Sequence, residues 1–356
     1  MQNKVKNRRS FNDKITYCVR EVSMTTIESK PENNDLNNEI IQWGTQYLSS
    51  HGYSLKSKRP ELIQNTPWSY VIRFATSDGY VYLKHTPERL ALEATIIQIL
   101  RDQFHAHVPS LITHNAKLNC FLMKNAGKSL REILKQKFDE ALLCKAIDQF
   151  TSLQIAVSDH VDVFLNIGVP DWRLDKLPDL YKQMVSQKNM LIEDGLLAIE
   201  ISKLEALFPT IFNLCKKLSA YSIKQTIVQP DFNDNNSLID EISRKITIID
   251  LGEIAISHPF FSLINCLHVI KKHYALTNED ATYLRIKDAC LKNFMKFEPR
   301  TADAFEIAQI LFFIYGALAN YRLVIACGKS KFTSSFQRHG RPSMVLKELI
   351  TVMGCA

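Results

Sequence analysis

The stretch Thr226 to Glu253, TIVQPDFNDNNSLIDEISRKITIIDLGE, limits what this chain can become more than any other. Ile227, Leu238, Ile239, Ile246, Ile248 and Ile249 belong to brief β-prone runs, and three polar side chains recur between them: Asp231, Asn236 and Asp250. Asp231 and Asn236 form a D-x-x-x-x-N loop, and Asp250 ends a buried-looking strand just before Leu251-Gly252. Chemistry that moves a phosphoryl group needs such a set. One carboxylate takes the acceptor hydroxyl's proton, and an amide and a second carboxylate hold Mg²⁺ beneath nucleotide phosphates. Magnesium prefers hard oxygen donors and takes only one or two carboxylates from a protein, so Asn236 and Asp250 suffice. A lone D-x-x-x-x-N also suits the turn of a plain β-hairpin, because Asp and Asn are ordinary loop residues. The second segment at this separation makes the pattern specific.

These residues resemble the catalytic core of the aminoglycoside phosphotransferase and choline kinase-like family of small-molecule kinases. That core runs His-x-Asp-x-x-x-x-Asn and is followed by Ile-Asp-Trp-x-Glu or a close variant. Here Gln229 stands in the place of the histidine and Leu251 in that of the aromatic, while Asp231, Asn236, Asp250 and Glu253 fall where the pattern has its polar groups. The resemblance implies an α+β, bilobal protein-kinase-like fold, with a small β-rich N-lobe and a larger, mainly helical C-lobe. It also implies an ATP-dependent transfer to a small hydroxyl-bearing acceptor, with Mg²⁺. Asp231 would be the catalytic residue, Asn236 and Asp250 the metal ligands, and Gln229 and Glu253 supporting groups. A glutamine amide can make some of the hydrogen bonds of the histidine it replaces.

Upstream, Trp68 to Thr76 alternates as a strand, Ser77-Asp78-Gly79 gives a turn and Tyr80 to Leu83 a return strand that ends at Lys84. Thr86-Pro87-Glu88 reads as a helix start, with Thr86 as the cap and Leu92, Ile96 and Ile99 on the buried face beside Glu93. A strand lysine followed by a helix carrying an inward glutamate is how the kinase fold positions its phosphate-binding ammonium, and Lys84 and Glu93 match those roles. A solvated lysine and a surface glutamate are the alternative. The loop expected to cover the nucleotide, Ile63 to Ser69, has no glycine to let backbone amides approach phosphates, which leaves the hydroxyls of Thr66 and Ser69 as substitutes. Asn119 to Met123 reads as the last strand of the small lobe. Lys124 to Gly127 then forms the hinge, where backbone groups around Met123 and Asn125 would meet adenine.

Residues 1–33 are polar and without sustained period, which predicts a disordered basic extension. The N-lobe is expected over 34–124 and the C-lobe over 125–356. From Leu36 the apolar residues fall at helical spacing, and helical patterning dominates from Ser129 to Ser222, interrupted between Gly168 and Leu177. Trp172 in that interruption either lines a substrate cleft or packs on the core. The formal charge is +7, but the first thirty residues hold seven bases against three acids, so the body is only mildly basic. If translation starts at Met24, most of that excess disappears.

No zinc-finger spacing or aromatic-basic RNA signature accompanies the charge, and no nucleic-acid partner is expected. Eight cysteines without a C-x-x-C pair read as reduced thiols of a cytoplasmic protein, and the N-terminus lacks the apolar core of a secretory signal. His105 and His107 read as ordinary connection residues rather than metal ligands, since no third ligand stands near. Ile307 to Ala319, followed by Asn320-Tyr321-Arg322, reads as a core helix too short to span a bilayer, so no membrane partner is expected. Basic residues outnumber acids after Ile254, which weighs against a polycationic acceptor. The acceptor class stays open among amino alcohols, sugars and antibiotics. A pseudokinase that binds nucleotide without transfer is the alternative, motivated by the glycine-free loop and Gln229.

Overall fold

Alternation in the run SYVIRFAT puts Tyr70, Ile72 and Phe74 on one face of a strand and Val71 and Arg73 on the other. The computed structural model describes residues 34–328 and 340–354. It builds this strand into a five-stranded antiparallel sheet made of β1 (Glu61–Thr66), β2 (Ser69–Thr76), β3 (Gly79–His85), β4 (Leu111–Asn115) and β5 (Cys120–Lys124). The spatial order is β1-β2-β3-β5-β4. Each of the two tight turns that join the first three strands is closed by a threonine hydroxyl. Thr66 Oγ1 accepts the Ser69 N–H at 3.0 Å and donates to the Ser69 carbonyl at 3.1 Å. Thr76 Oγ1 donates to the Gly79 carbonyl at 2.8 Å.

One face of the sheet, through Ile72, Phe74, Val81 and Leu83, packs on Ile40 and Leu48 of α1 (Asn34–Ser50). A side chain at Gly44 would put its Cβ 2.7 Å from Leu83 Cδ1, so the close seat of α1 requires glycine there. Because successive strand residues point to opposite faces, Lys84 emerges on the side away from Leu83. That side is covered by α2 (Glu93–Phe104), whose Ala94, Ile96, Ile97 and Leu100 share a core with Phe121.

The predicted helix start at Thr86-Pro87 is corrected. Glu88–Leu90 make one 3-10 turn with no side-chain cap, and α2 begins at Glu93. Leu90 is buried in a cluster with Trp68, Leu323 and Cys327, a contact that holds this turn apart from the helix that follows.

The chain leaves the small lobe through Asn125–Gly127. Gly127 has φ +109°, and a Cβ there would lie 2.0 Å from the Ile239 carbonyl oxygen, so this crossing runs directly against a three-stranded sheet. That sheet comprises β6 (Lys128–Ser129), β8 (Ser237–Ile239) and β9 (Ile246–Ile248), beside a two-stranded pair of β7 (Thr226–Val228) and β10 (Ala255–Ser257). α3 (Leu130–Gln136) opens with Ser129, whose hydroxyl accepts the Glu132 N–H, and α4 (Glu140–Val157) with Asp139, whose carboxylate accepts the Leu142 N–H.

Helices then follow as α5 (Asp162–Leu165), α6 (Leu177–Ser186), α7 (Lys188–Glu193), α8 (Ala198–Ala206) and α9 (Phe208–Leu218). After β10 come α10 (Phe260–His273), α11 (Ala281–Leu291), α12 (Thr301–Cys327) and α13 (Arg341–Gly354). The Asp194 carboxylate accepts the N–H groups of Gly340 and Ser343, each at 2.8 Å, and so fixes the start of α13. The expected basic extension over 1–33, the alternative start at Met24, and Cys18 and Cys355 lie outside the described residues; the six described cysteines form no disulfide with one another.

The length predicted for the last core helix is also corrected. α12 runs for 27 residues, straight through Asn320-Tyr321-Arg322, and by length and composition it is apolar and long enough to cross a membrane. It continues because those polar groups are satisfied from within the helix or across to its neighbours. Asn320 donates to the Gly316 carbonyl, and Arg322 reaches the segment after β9. Residues such as Ala304, Leu311 and Ile314 are buried in the fold.

His258 is fully buried between β10 and α10, and burial pushes its pKa down from 6.5 to about 3. The unfolded chain therefore binds a proton below its ordinary pKa that the folded chain refuses, and stability is lost as pH falls below about 6.5. At pH 5 this one imidazole accounts for about 2 kcal/mol. His258→Asn keeps a group able to accept the Phe260 N–H, as His258 Nδ1 does, and does not titrate. Its urea midpoint should fall less than wild type between pH 7.5 and pH 5; parallel slopes would contradict the assignment.

Candidate functional site

The Asp231 loop leaves β7 at Val228 and is pinned by aromatic stacking and amide bonds. The Phe232 ring lies on Phe150 with centroids 3.9 Å apart, and Asn265 Nδ2 donates to the Phe232 carbonyl. Two asparagine amides then grip the exposed Asp231. Asn236 Nδ2 donates to Asp231 Oδ2 at 3.0 Å and to its carbonyl at 2.8 Å. Asn233 Nδ2 does the same to Oδ1 at 3.0 Å and to the same carbonyl at 2.8 Å. The Asp231 carboxylate is thereby fixed at both oxygens, and the carbonyl oxygen Oδ1 of Asn236 accepts no bond from a described residue.

A second cluster forms where the lobes meet. Lys84 Nζ lies 2.6 Å from Glu93 Oε2 and 2.5 Å from Asp250 Oδ1. Burial works against its ammonium, yet Asp250 and Glu93 together raise the Lys84 pKa above that of an ordinary lysine, and it stays charged at neutral pH. Glu93, buried in the first turn of α2, also accepts the Leu251 N–H through Oε1 at 3.1 Å. Burial first, and the neighbouring Asp250 in addition, push its pKa up against the pull of Lys84. Gly252 must be glycine for this contact, since a Cβ there would meet Glu93 Oε2 at 3.0 Å and the Leu90 carbonyl at 3.3 Å.

Asp250 itself has φ +63° and ψ +51°, a left-handed conformation that Asp tolerates better than most side chains. Gln229 supports this conformation, its amide Nε2 donating to the carbonyls of Ile249 at 2.8 Å and Asp250 at 2.9 Å. Ile249 N–H in turn donates to the Asn236 carbonyl at 3.0 Å. These bonds tie the Asp231 loop to the Lys84, Glu93 and Asp250 cluster, so the predicted residues from three separate segments belong to one assembly.

The remaining predicted residues sit elsewhere. Thr66 and Ser69 face each other across the β1-β2 turn, where the Thr66 hydroxyl is committed to Ser69 backbone and the buried Ser69 Oγ has no partner among the described residues. Met123 pairs with Tyr82 and Leu111 in the sheet. Asn125 donates its N–H to the Tyr80 carbonyl, and its side chain accepts the Gly127 N–H. Glu253 closes the 3-10 turn after Asp250, where its carbonyl accepts from Arg322 Nη1 at 3.1 Å. His105 and His107 join no metal-binding group among the described residues.

Sequence reasoning did not identify the frame behind the loop. Asp234 is buried, and its carboxylate accepts from Arg131 Nη2 at 2.8 Å and from the Tyr274 hydroxyl at 2.5 Å. Burial and this carboxylate raise the Tyr274 pKa, so the phenol remains a donor. Arg131 also bonds Asn233 Oδ1 at 3.1 Å, linking the frame to the amide that holds Asp231. Asn233 was detectable as the D-x-N spacing of a side-chain-closed turn. Tyr274 carries no local signal, because it arrives from the end of α10, forty residues away.

The fold is protein-kinase-like and similar to that of several solved small-molecule phosphotransferases. A Plasmodium vivax ethanolamine kinase superposes with a TM-score of 0.57 at 11% identity, covering 94% of each chain. A choline/ethanolamine kinase family protein from Mesorhizobium loti gives 0.57 at 12% identity, over 89% of this chain and 95% of that one. A macrolide 2'-phosphotransferase from Brachybacterium faecium gives 0.52 at 13% identity, over 81% and 97%. No protein-family model and no curated sequence matches the chain.

Gln229→Ala removes the donor shared by two backbone carbonyls and should cost about 2 kcal/mol of stability, read as a lower urea midpoint. An unchanged midpoint would mean that those carbonyls do not depend on the amide.

Proposed function

We propose that this chain is an ATP-dependent O-phosphotransferase that acts on a hydroxyl of a small molecule, with Mg²⁺ as cofactor. The observation that carries the reading is the bonded assembly in which Lys84, Glu93 and Asp250 are tied through Gln229 and Asn236 to the carboxylate of Asp231.

The donor set suits magnesium. Asp250 offers a partly exposed carboxylate and Asn236 a carbonyl oxygen, both hard ligands, and two carboxylates against one ammonium leave the cluster with an excess of negative charge that a divalent cation would offset. When bound, the ion would neutralise charge on the nucleotide phosphates. Lys84, held by Glu93, would contact those phosphates. Asp231 would orient the acceptor hydroxyl and take its proton as the new O–P bond forms and ADP departs. The two asparagine amides keep that carboxylate from rotating, and catalysis in this chemistry rests mainly on such positioning. The solved structures of similar fold include phosphotransferases by name, which agrees with this reading.

A nucleotide-binding module without transfer activity is the second reading. What favours it is the β1-β2 turn, which lacks glycine and whose Trp68 is packed against α12.

The test separates them. Mg-ATP at about a hundredfold its Kd should stabilise the wild type by about 2.7 kcal/mol, read as a rise in Tm. Asp250→Asn, which keeps a residue suited to the left-handed backbone, should lose the magnesium-dependent part of that rise. Asp231→Asn should retain it while ADP formation across a panel of hydroxyl compounds falls about 10²- to 10⁴-fold. Nucleotide binding with no turnover in the wild type favours the module, and no binding at all contradicts both readings.

A further inference from the structure

A cavity of about 430 Å³ opens between α6, the loop that carries Trp172, and the second half of α12. None of Lys84, Glu93, Asp231, Asn236 or Asp250 lines it. Its size falls within the range of small-molecule sites. The walls are apolar and aromatic, from Trp172, Leu180, Met184, Leu318, Tyr321 and Ile325, with Gln183 and Gln187 as neutral polar groups.

Its charged lining residues are both arginines. Arg89 comes from the 3-10 turn between the strand of Lys84 and the helix of Glu93. Arg322 comes from α12, and no carboxylate is found among the lining residues. Arg322 is already engaged, donating to the carbonyls of Gly252, Glu253 and Ile254. Burial lowers its pKa against the opposing pull of Glu253. Arg89 is exposed and makes no hydrogen bond or ion pair with a described residue.

An aromatic-walled cavity with two cations and no acid repels an ammonium and favours a compact anion with an apolar body. A guanidinium with free N–H groups at the mouth is the donor geometry that a carboxylate or a phosphate monoester fills in bidentate fashion. We propose that this cavity is a binding site for a small amphipathic anion, with the apolar body against Trp172 and Met184 and the anionic group at Arg89. Arg322 links the cavity to the turn that follows Asp250, so an occupant contacts a residue that also fixes the backbone beside the phosphoryl-transfer cluster. Because no residue of the phosphoryl-transfer cluster lines the cavity, the occupant is an effector that is not consumed.

Binding is measured by calorimetry on the full chain without nucleotide, so the outcome is independent of whether transfer occurs. The probes are 4-phenylbutyrate, 4-phenylbutylamine and 4-(4-hydroxyphenyl)butyrate. The two carboxylates should bind with Kd below about 1 mM and at least about tenfold more tightly than the amine. Arg89→Gln, a change at an exposed position, should weaken the carboxylates about fivefold and leave the amine unchanged or tighter. Ile325→Trp adds bulk at a lining position that is 40% exposed, and should weaken all three. Equal or tighter binding of the amine, an unchanged preference in Arg89→Gln, or no binding of either carboxylate overturns the proposal. Adding Mg-ATP to the hydroxylated probe checks that the occupant is not consumed: an unaltered bound probe is expected, and phosphate on its hydroxyl places it at the transfer cluster and overturns the assignment.

Discussion

The position of one buried ammonium governs the arrangement of both lobes. Lys84 contributes a positive charge from the small sheet to a place where both Glu93 and Asp250 reach it. Removing one partner from a buried pair of this kind typically costs about 3–5 kcal/mol, because a charge is left without water and without compensation. The three groups therefore hold each other where they are. Each comes from a different element: the end of β3, the first turn of α2, and the turn between β9 and β10. The interaction thus fixes the seat of α2 and the approach of the two lobes at once.

The surrounding structure is arranged to make that geometry the cheapest one available. Gly252 clears space for the Glu93 carboxylate, and the Leu251 N–H occupies its second oxygen. Gln229 holds the carbonyls of Ile249 and of the left-handed Asp250, and Arg322 gathers those of Gly252, Glu253 and Ile254. Polar groups that would otherwise be buried without partners become the bracing of the site. Behind the Asp231 loop the Arg131, Asp234 and Tyr274 network plays the same part, with aromatic stacking on Phe150 beneath it.

Much of this was legible because local pattern and tertiary role coincide. The alternation of Trp68 to Thr76, the turn at Ser77-Asp78-Gly79 and the return through Leu83 to Lys84 predict a hairpin, and the structure has it, with its first strand over Ser69–Thr76. The spacing of Asp231, Asn236 and Asp250 works in the same way, since short strands on either side leave little freedom for where the loop ends go. What local pattern could not show depends on distant contacts. Thr86-Pro87 has the chemistry of a helix cap, but Leu90 is engaged by Trp68 and α12, so the helix starts later. β4 lacks a clear alternation and is defined by its pairing with β5. The polar run Asn320-Tyr321-Arg322 resembles a helix end only until the Gly316 carbonyl is seen to take Asn320 and the segment after β9 to take Arg322. The arginine-lined cavity is assembled from segments more than two hundred residues apart in the chain.

The central claim is that the Asp231 loop and the Asp250 turn present one metal-nucleotide site beneath Lys84. A crystal structure with magnesium and a non-hydrolysable ATP analogue tests it most directly. The account predicts a metal ion at about 2.0–2.1 Å from oxygens of both Asn236 and Asp250, with Lys84 against the nucleotide phosphates. A nucleotide bound elsewhere, or a metal ion touching neither side chain, would contradict it.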